Sequence, residues 1–178
     1  MKTLISIDAS SKATGIAIFK ITKNNEVKYK THFLITVPED LKKSTKATKN
    51  LMMRRRIDFM MVEIIKILER YNPDYILMED IYAGKDIHTL KMFGRLQGAI
   101  EYYSLSKQTI KNPYPVTLIY IAPNSWRSKL KFPNLKREEL KQCSIKYIED
   151  KLSITVTDDE ADAICIGYSF PFVVKDYC

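Results

Sequence analysis

Apolar and polar positions alternate through three runs in the first third of the chain, TLISID at residues 3–8, TGIAIFKI at 14–21 and EVKYKTHFLI at 26–35. A period of two predicts strands, and Asn24 and Asn25 supply a turn between the second and third runs, so an antiparallel meander is expected. The period then changes. Between about residues 44 and 71 the apolar positions are Leu51, Met53, Ile57, Met60, Met61, Ile64, Ile65 and Leu68, which is helical spacing. Met52, Met53, Met60 and Met61 read as core filling within that helix. After Asn-Pro-Asp at 72–74, the run YILME at 75–79 has the character of a buried parallel strand and ends in Glu79 and Asp80. A helix over about 86–105 is predicted next, with Leu90, Phe93, Leu96, Gln97, Ile100 and Tyr103 as its inner stripe.

The run PVTLIYIAP at 115–123 supplies a fifth strand; APNSWRSKL then opens a short helix or loop, and NLKREELKQCSIKYIEDKL a longer helix. A last helix begins at the acidic cluster after Thr157, and Pro171 marks its predicted end. Three strands, helix, strand, helix, strand and helices describe an α/β protein, a mixed β-sheet of five strands flanked by α-helices. No linker divides residues 1–178, which predicts one domain. Gly94 and Gly98 stand four apart in a predicted helix, where they cost propensity; close packing on the sheet or a helix crossing at a dimer interface would each account for them.

Composition narrows the function. A hydrophobic fraction of 46% suffices for one core, and no apolar stretch approaches the roughly 20 residues of a membrane span. Asp8 interrupts the first apolar run, against a signal peptide, so a soluble, cytoplasmic protein is expected. Cys143, Cys165 and Cys178 are too scattered for a metal or redox motif, and His32 and His88 stand alone, which disfavours a zinc site or a Ser-His-Asp triad. The formal net charge is +8, and the basic residues cluster: Lys42, Lys43, Lys46, Lys49, Arg54, Arg55 and Arg56 in one block, Arg127, Lys129, Lys131, Lys136, Arg137 and Lys141 in another. Such blocks favour a polyanionic partner.

Against this background, Asp158, Asp159, Glu160 and Asp162 form a dense acidic group. Thr157 and Glu160 fit a capping box, and acidic residues suit a first helical turn. Asp162 is not explained by the cap. It shares a face with Asp159, and that face continues through Ala163, Ile166 and Phe170 toward the core. Like charges at a buried edge are costly unless a cation lies between them. Asp8 and Glu79 both stand at strand ends; if those strands are neighbours, all four carboxylates reach one edge. Oxygen ligands suit hard divalent cations, and two such ions support phosphodiester hydrolysis.

The stretches IDASSKATGIAI, YILMEDIYAGK and DDEADAICIGYS, in this order and at this spacing, resemble the three acidic motifs of RuvC-type Holliday-junction resolvases in the ribonuclease H-like superfamily. The resemblance spans nearly the whole chain. It implies that Asp8, Glu79, Asp159 and Asp162 hold two magnesium ions, which manganese can replace, while Asp158 and Glu160 stay outside. It also implies a base-contacting aromatic at Tyr82, a phosphate-holding cation at Arg127 with Lys129 and Lys131 as competitors, and phosphate contacts at Lys85 and Lys136. Where relatives commonly have Asp-Pro-Gly, this chain has Asp8-Ala9-Ser10; with the rich basic block at 42–56, that departure suggests a divergent, phage-encoded member.

The expectation is therefore a homodimeric, magnesium-dependent endonuclease that resolves four-way or branched DNA, with the dimer contact on the Gly94–Ile100 helix. It would act in a bacterial cytoplasm, or in the host's if phage-encoded; no helicase partner is named by the sequence. Alternatives are a ribonuclease H-like nuclease on RNA–DNA hybrids or flaps, and a junction-binding module without catalysis. The second has no use for acidic residues that weaken phosphate binding. An actin-like ATPase is disfavoured by the short chain and by only five glycines.

Overall fold

The computed structural model describes residues 1–81, 87–108 and 116–176. Its strands are β1 (Lys2–Asp8), β2 (Ala13–Ile21), β3 (Val27–Thr36), β4 (Tyr75–Glu79) and β5 (Thr117–Ile121). They form one sheet in the order β3-β2-β1-β4-β5. The expected meander is present, with β1–β2 and β2–β3 antiparallel, while β1–β4 and β4–β5 pair in parallel. The helices among the described residues are α1 (Glu39–Lys42), α2 (Lys49–Tyr71), α3 (Ile87–Ser106), α4 (Pro123–Lys129), α5 (Arg137–Leu152) and α6 (Asp158–Val173), followed by a 3-10 turn at Val174–Asp176. This is the ribonuclease H-like α/β arrangement.

Strand alternation sorts the core into two layers. Leu4, Ala17, Phe19, Leu77 and Ile119 face one side, where Ile164, Ile166 and Phe170 of α6 and Ile148 of α5 cover them. Ile5, Ile7, Ile16, Ile18, Ile76 and Met78 face the other and meet α2 through Ile57, Met60, Ile64 and Leu68, and α3 through Phe93, Leu96 and Ile100. Met60 is fully buried, and Met53 and Met61 pack against the same layer, as core-filling methionines should.

Contact between α6 and the sheet is unusually close at two glycines. A Cβ on Gly15 would lie 1.9 Å from the Asp159 carbonyl oxygen, and one on Gly167 would lie 2.1 Å from the Phe19 ring. Between them the buried Ser6 hydroxyl donates to the Ala163 carbonyl at 2.7 Å, tying β1 to the middle of the helix. The helix is thus held at fixed height over β1 and β2. Its capping box forms as predicted, with the Glu160 N–H donating to Thr157 Oγ1 at 3.4 Å and the Thr157 N–H to Glu160 Oε2 at 2.9 Å.

Three expectations need correction. Pro171 does not end α6, which runs to Val173 with the Val174 N–H bonded to the Phe170 carbonyl. A proline inside a helix costs about 3 kcal/mol. Burial of Phe170, Val173 and Val174, at 1%, 5% and 5% exposure, offsets this at roughly 1.5–3 kcal/mol for each large side chain. The helix expected from about residue 44 starts at Lys49, because Thr45 and Thr48 bond one another in a turn before it. A one-turn helix, α1, precedes that turn.

The third correction concerns the first basic block. Arg56 is 5% exposed and its Nη1 donates to the Leu41 carbonyl at 3.1 Å, so it fastens α1 onto α2 instead of facing a partner. Lys42 pairs with Glu39 at 2.5 Å, and Arg54 with Asp58 at 3.8 Å. The remaining cations of the block, Lys43, Lys46, Lys49 and Arg55, are exposed.

Candidate active site

β1 and β4 run in parallel as neighbours, with Ile7 opposite Met78, so the next residues, Asp8 and Glu79, emerge together at the carboxyl edge of the sheet. β5 joins them in register, Ile121 opposite Glu79, and the chain turns at once through Ala122 into α4 with Pro123 in its first turn. That turn delivers Trp126 and Arg127 to the edge. From the other side, Gly15 sits opposite Asp8 in the β1–β2 register and admits the backbone of Asp159. The first turn of α6 therefore closes on the same edge. A cavity of about 610 Å³ results, lined by Asp8, Glu79, Asp80, Asp159 and Asp162 on its acidic side and by Arg127, Arg137 and Lys141 on its basic side.

The electrostatics are those of crowded, partly desolvated carboxylates. Burial pushes the Asp8 carboxyl well above the usual range, and the charges of Glu79, Asp162 and Asp159 push it further. Asp159 is pushed up to about 6 by burial and by Asp158. Asp162 is also pushed up to about 6, chiefly by burial, against the opposing pull of the Ser144 hydroxyl and the Arg127 guanidinium. Its Oδ1 is buried without a hydrogen-bond partner among the described residues, while Arg127 Nη2 lies 3.5 Å from its Oδ2. Such an orphaned carboxylate oxygen is costly as it stands and is the kind of atom a cation satisfies.

The donor set is all oxygen, which fits a hard divalent ion in preference to zinc or copper. Among the described residues, no three acidic, imidazole or thiol groups are already drawn in to ligand spacing. Protein partners occupy some of the oxygens: Arg127 faces Asp162, and the Trp126 indole N–H donates to Glu79 Oε2 at 2.7 Å. The four carboxylates line a wall rather than a closed cage.

The two acidic neighbours set outside the site are engaged elsewhere. Asp158 bonds Lys141, which holds its carboxyl below the usual range and raises the Lys141 ammonium. Glu160 serves the Thr157 cap and lies 3.4 Å from His32 Nε2. Of the predicted cations, Arg127 lines the cavity, and Lys131 lines an adjoining depression with Asn124 and Ser128. Lys129 and Lys136 are exposed beside it, on α4 and just before α5. Tyr82 and Lys85 lie outside the described residues.

Sequence reasoning passed over Trp126 and Gly15. Gly15 carried a usable signal, since a glycine inside an apolar strand marks close backbone approach. For Trp126 the signal was its position: a bulky aromatic beside Arg127 on the helix that follows the strand paired with β4.

No protein-family model matches the chain. Among curated proteins it is similar to the crossover junction endodeoxyribonuclease RuvC of Thermotoga maritima, 26% identical over 165 residues that cover 93% of this chain and 88% of the relative. Among solved structures it is similar to T. thermophilus RuvC in complex with a Holliday junction substrate, with a TM-score of 0.66, 12% identity, and 98% and 96% of the two chains covered. It is also similar to the Fowlpox virus resolvase with its substrate Holliday junction DNA, with a TM-score of 0.59, 18% identity, and 97% and 98% covered. The resemblance carried by the three acidic stretches is borne out: this chain is RuvC-like in sequence and in fold along nearly its whole length.

Proposed function

We propose that this chain is a divalent-metal-dependent endonuclease that resolves four-way DNA junctions by paired nicks, with residues 1–178 acting as one nuclease domain in the cytoplasm. One observation carries the proposal: Asp8, Glu79, Asp159 and Asp162, from three separate elements, line a single cavity together with Arg127, Arg137 and Lys141. A fold that only bound junctions would gain nothing from four carboxylates facing a phosphate backbone.

Asp8, Glu79, Asp159 and Asp162 are the residues that would hold magnesium or manganese, two ions per site. Such ions supply Lewis acidity for water attack and for the departing 3′-oxygen, leaving a 5′-phosphate. The protein's own groups do the remaining work. Arg127 has a buried Nε without a hydrogen-bond partner among the described residues and lines both depressions, so it is suited to hold the scissile phosphate. Lys131, Lys129 and Lys136 extend that cationic surface from α4 to the start of α5 as phosphate contacts, and Tyr82 and Lys85 are assigned base and phosphate contacts. Capping of α6 by Thr157 and Glu160 fixes the turn that presents Asp159 and Asp162. The Lys141 pair keeps Asp158 turned to its own cation.

Paired nicks call for two copies related by a two-fold axis, matching the substrate's near symmetry. We assign that contact to α3, where Gly94 and Gly98 meet no atom within 4 Å among the described residues and Ile87, Tyr102 and Leu105 are exposed on the same helix.

The decisive experiment compares wild type with Asp8→Asn on a synthetic four-way junction with magnesium. The variant should bind the junction and cut it at least about 100-fold more slowly, given the size of effects on electrostatic catalytic groups. Equal cutting by both proteins removes the central claim. Offering the same preparation a flap and an RNA–DNA hybrid separates the junction reading from its nearest alternatives, since preferential cutting of either replaces the substrate and keeps the chemistry.

A further inference from the structure

Trp126 is the only tryptophan in the chain, and its side chain is fully buried. A buried indole N–H must find an acceptor. Here the acceptor is not a backbone carbonyl of the core but Glu79 Oε2, at 2.7 Å. The same ring stacks edge-on against Phe132, with centroids 5.9 Å apart, and carries the Arg127 guanidinium at 4.4 Å from its centroid. One rigid, wholly buried side chain thus touches a strand-end carboxylate and the cation that faces Asp162.

Physical chemistry gives this arrangement a definite consequence. Glutamate has three side-chain rotors, each with several staggered or broad minima to choose among. A charge-assisted bond to a donor that is itself fixed by packing selects one rotamer and sets the plane of the carboxylate. Losing a group that orients a ligand in this way typically costs roughly 10–100-fold in affinity for the ion. The ring face does the corresponding service for Arg127, holding its guanidinium by a cation–π contact.

We infer that Trp126 is a positioning residue for the cation site, its indole N–H fixing Glu79 and its ring face seating Arg127 beside Asp162. The positioning role rests on the reading of Glu79 as a metal ligand; the bond to Glu79 does not. That separation makes the test clean. In ¹⁵N-labelled protein without DNA, the lone tryptophan gives one indole N–H cross-peak, and Glu79→Gln should move it upfield while the backbone peaks of the core stay in place. Magnesium added to the wild type should shift the same peak along a saturable curve.

Replacing Trp126 with 3-benzothienylalanine keeps the bulk and removes the donor. Manganese affinity, read from the loss of the free-ion paramagnetic resonance signal, should fall about 10-fold, as for other groups that orient metal ligands. Trp126→Phe should lose affinity similarly and add a packing defect visible in its melting temperature. If the cross-peak ignores Glu79→Gln, or if the benzothienyl protein binds manganese as the wild type does, Trp126 is core filling and the inference fails. If wild type binds no manganese while Glu79→Gln still moves the peak, the bond stands but the metal-site reading fails, and the positioning role falls with it.

Discussion

The two faces of the sheet use glycine in opposite ways. On the α6 face, Gly15 and Gly167 are contact points where any side chain would collide, with the Asp159 backbone in one case and the Phe19 ring in the other. On the α2–α3 face, Gly94 and Gly98 meet nothing within 4 Å among the described residues. The first pair brings a helix close enough to place two carboxylates beside a strand end. The second pair makes no such contact among the described residues, and each glycine still costs helix propensity, by about 1 kcal/mol relative to alanine. The acidic face is therefore built by close contact within one chain, while the proposed two-fold contact would give the glycine-bearing helix opposite it a use that the described residues do not.

The largest effect should come from filling the tight contact. Gly15→Ala sets a methyl group 1.9 Å from a carbonyl oxygen that belongs to backbone, so no side chain can swing aside. The expected cost is about 3 kcal/mol, at the upper end for overpacking, read as a fall in the urea midpoint. Junction cutting should fall further than stability alone explains, because Asp159 moves away from Asp8. A variant as stable as wild type would show that α6 has room to lift, and the comparison between the faces would lose its basis.

The acidic face should also reveal itself through pH. Asp159 and Asp162 are pushed up to about 6, and Asp8 is raised well above its ordinary range. Each group then holds its proton more tightly folded than unfolded. The folded state carries extra protons between the ordinary carboxylate range and about pH 6, so stability is present below that window and falls as pH rises through it. Magnesium should restore stability at about pH 7.5, where the carboxylates are charged, and do little at about pH 4.5. Melting temperatures across this range would show it. An Asp159→Asn, Asp162→Asn double variant should flatten both the slope and the magnesium response; an unaltered slope would assign the pH dependence to other groups.

Much of this organisation was legible in the chain. Alternation marked β1, β2 and β3, and the apolar runs that end in Asp8 and Glu79 put both residues at strand ends; that the two strands are parallel neighbours is what the structure adds. The capping box at Thr157 gave the register of α6, from which the common face of Asp159 and Asp162 followed. What was not legible depends on tertiary contacts that periodicity does not encode. Pro171 lies inside α6 because the core holds the turn beyond it. Arg56 points inward because a carbonyl of α1 is within reach. The Trp126–Glu79 bond joins residues 47 positions apart, and the fate of Gly94 and Gly98 turned on which side of α3 met the sheet.

That last point yields the smallest effect and the sharpest division between readings. Alanine at Gly94 meets no obstacle among the described residues and should stabilise the helix by about 1 kcal/mol. If α3 is also where two copies meet, the added methyl group intrudes on a close crossing, and association should weaken although each protomer melts higher. Sedimentation at several concentrations and thermal melts at low concentration measure the two quantities separately. Opposite signs support a dimer built on α3, with each copy presenting its own carboxylate edge to one strand of a junction. Raised stability with unchanged association would leave α3 without an interface role and move the two-fold contact to another surface.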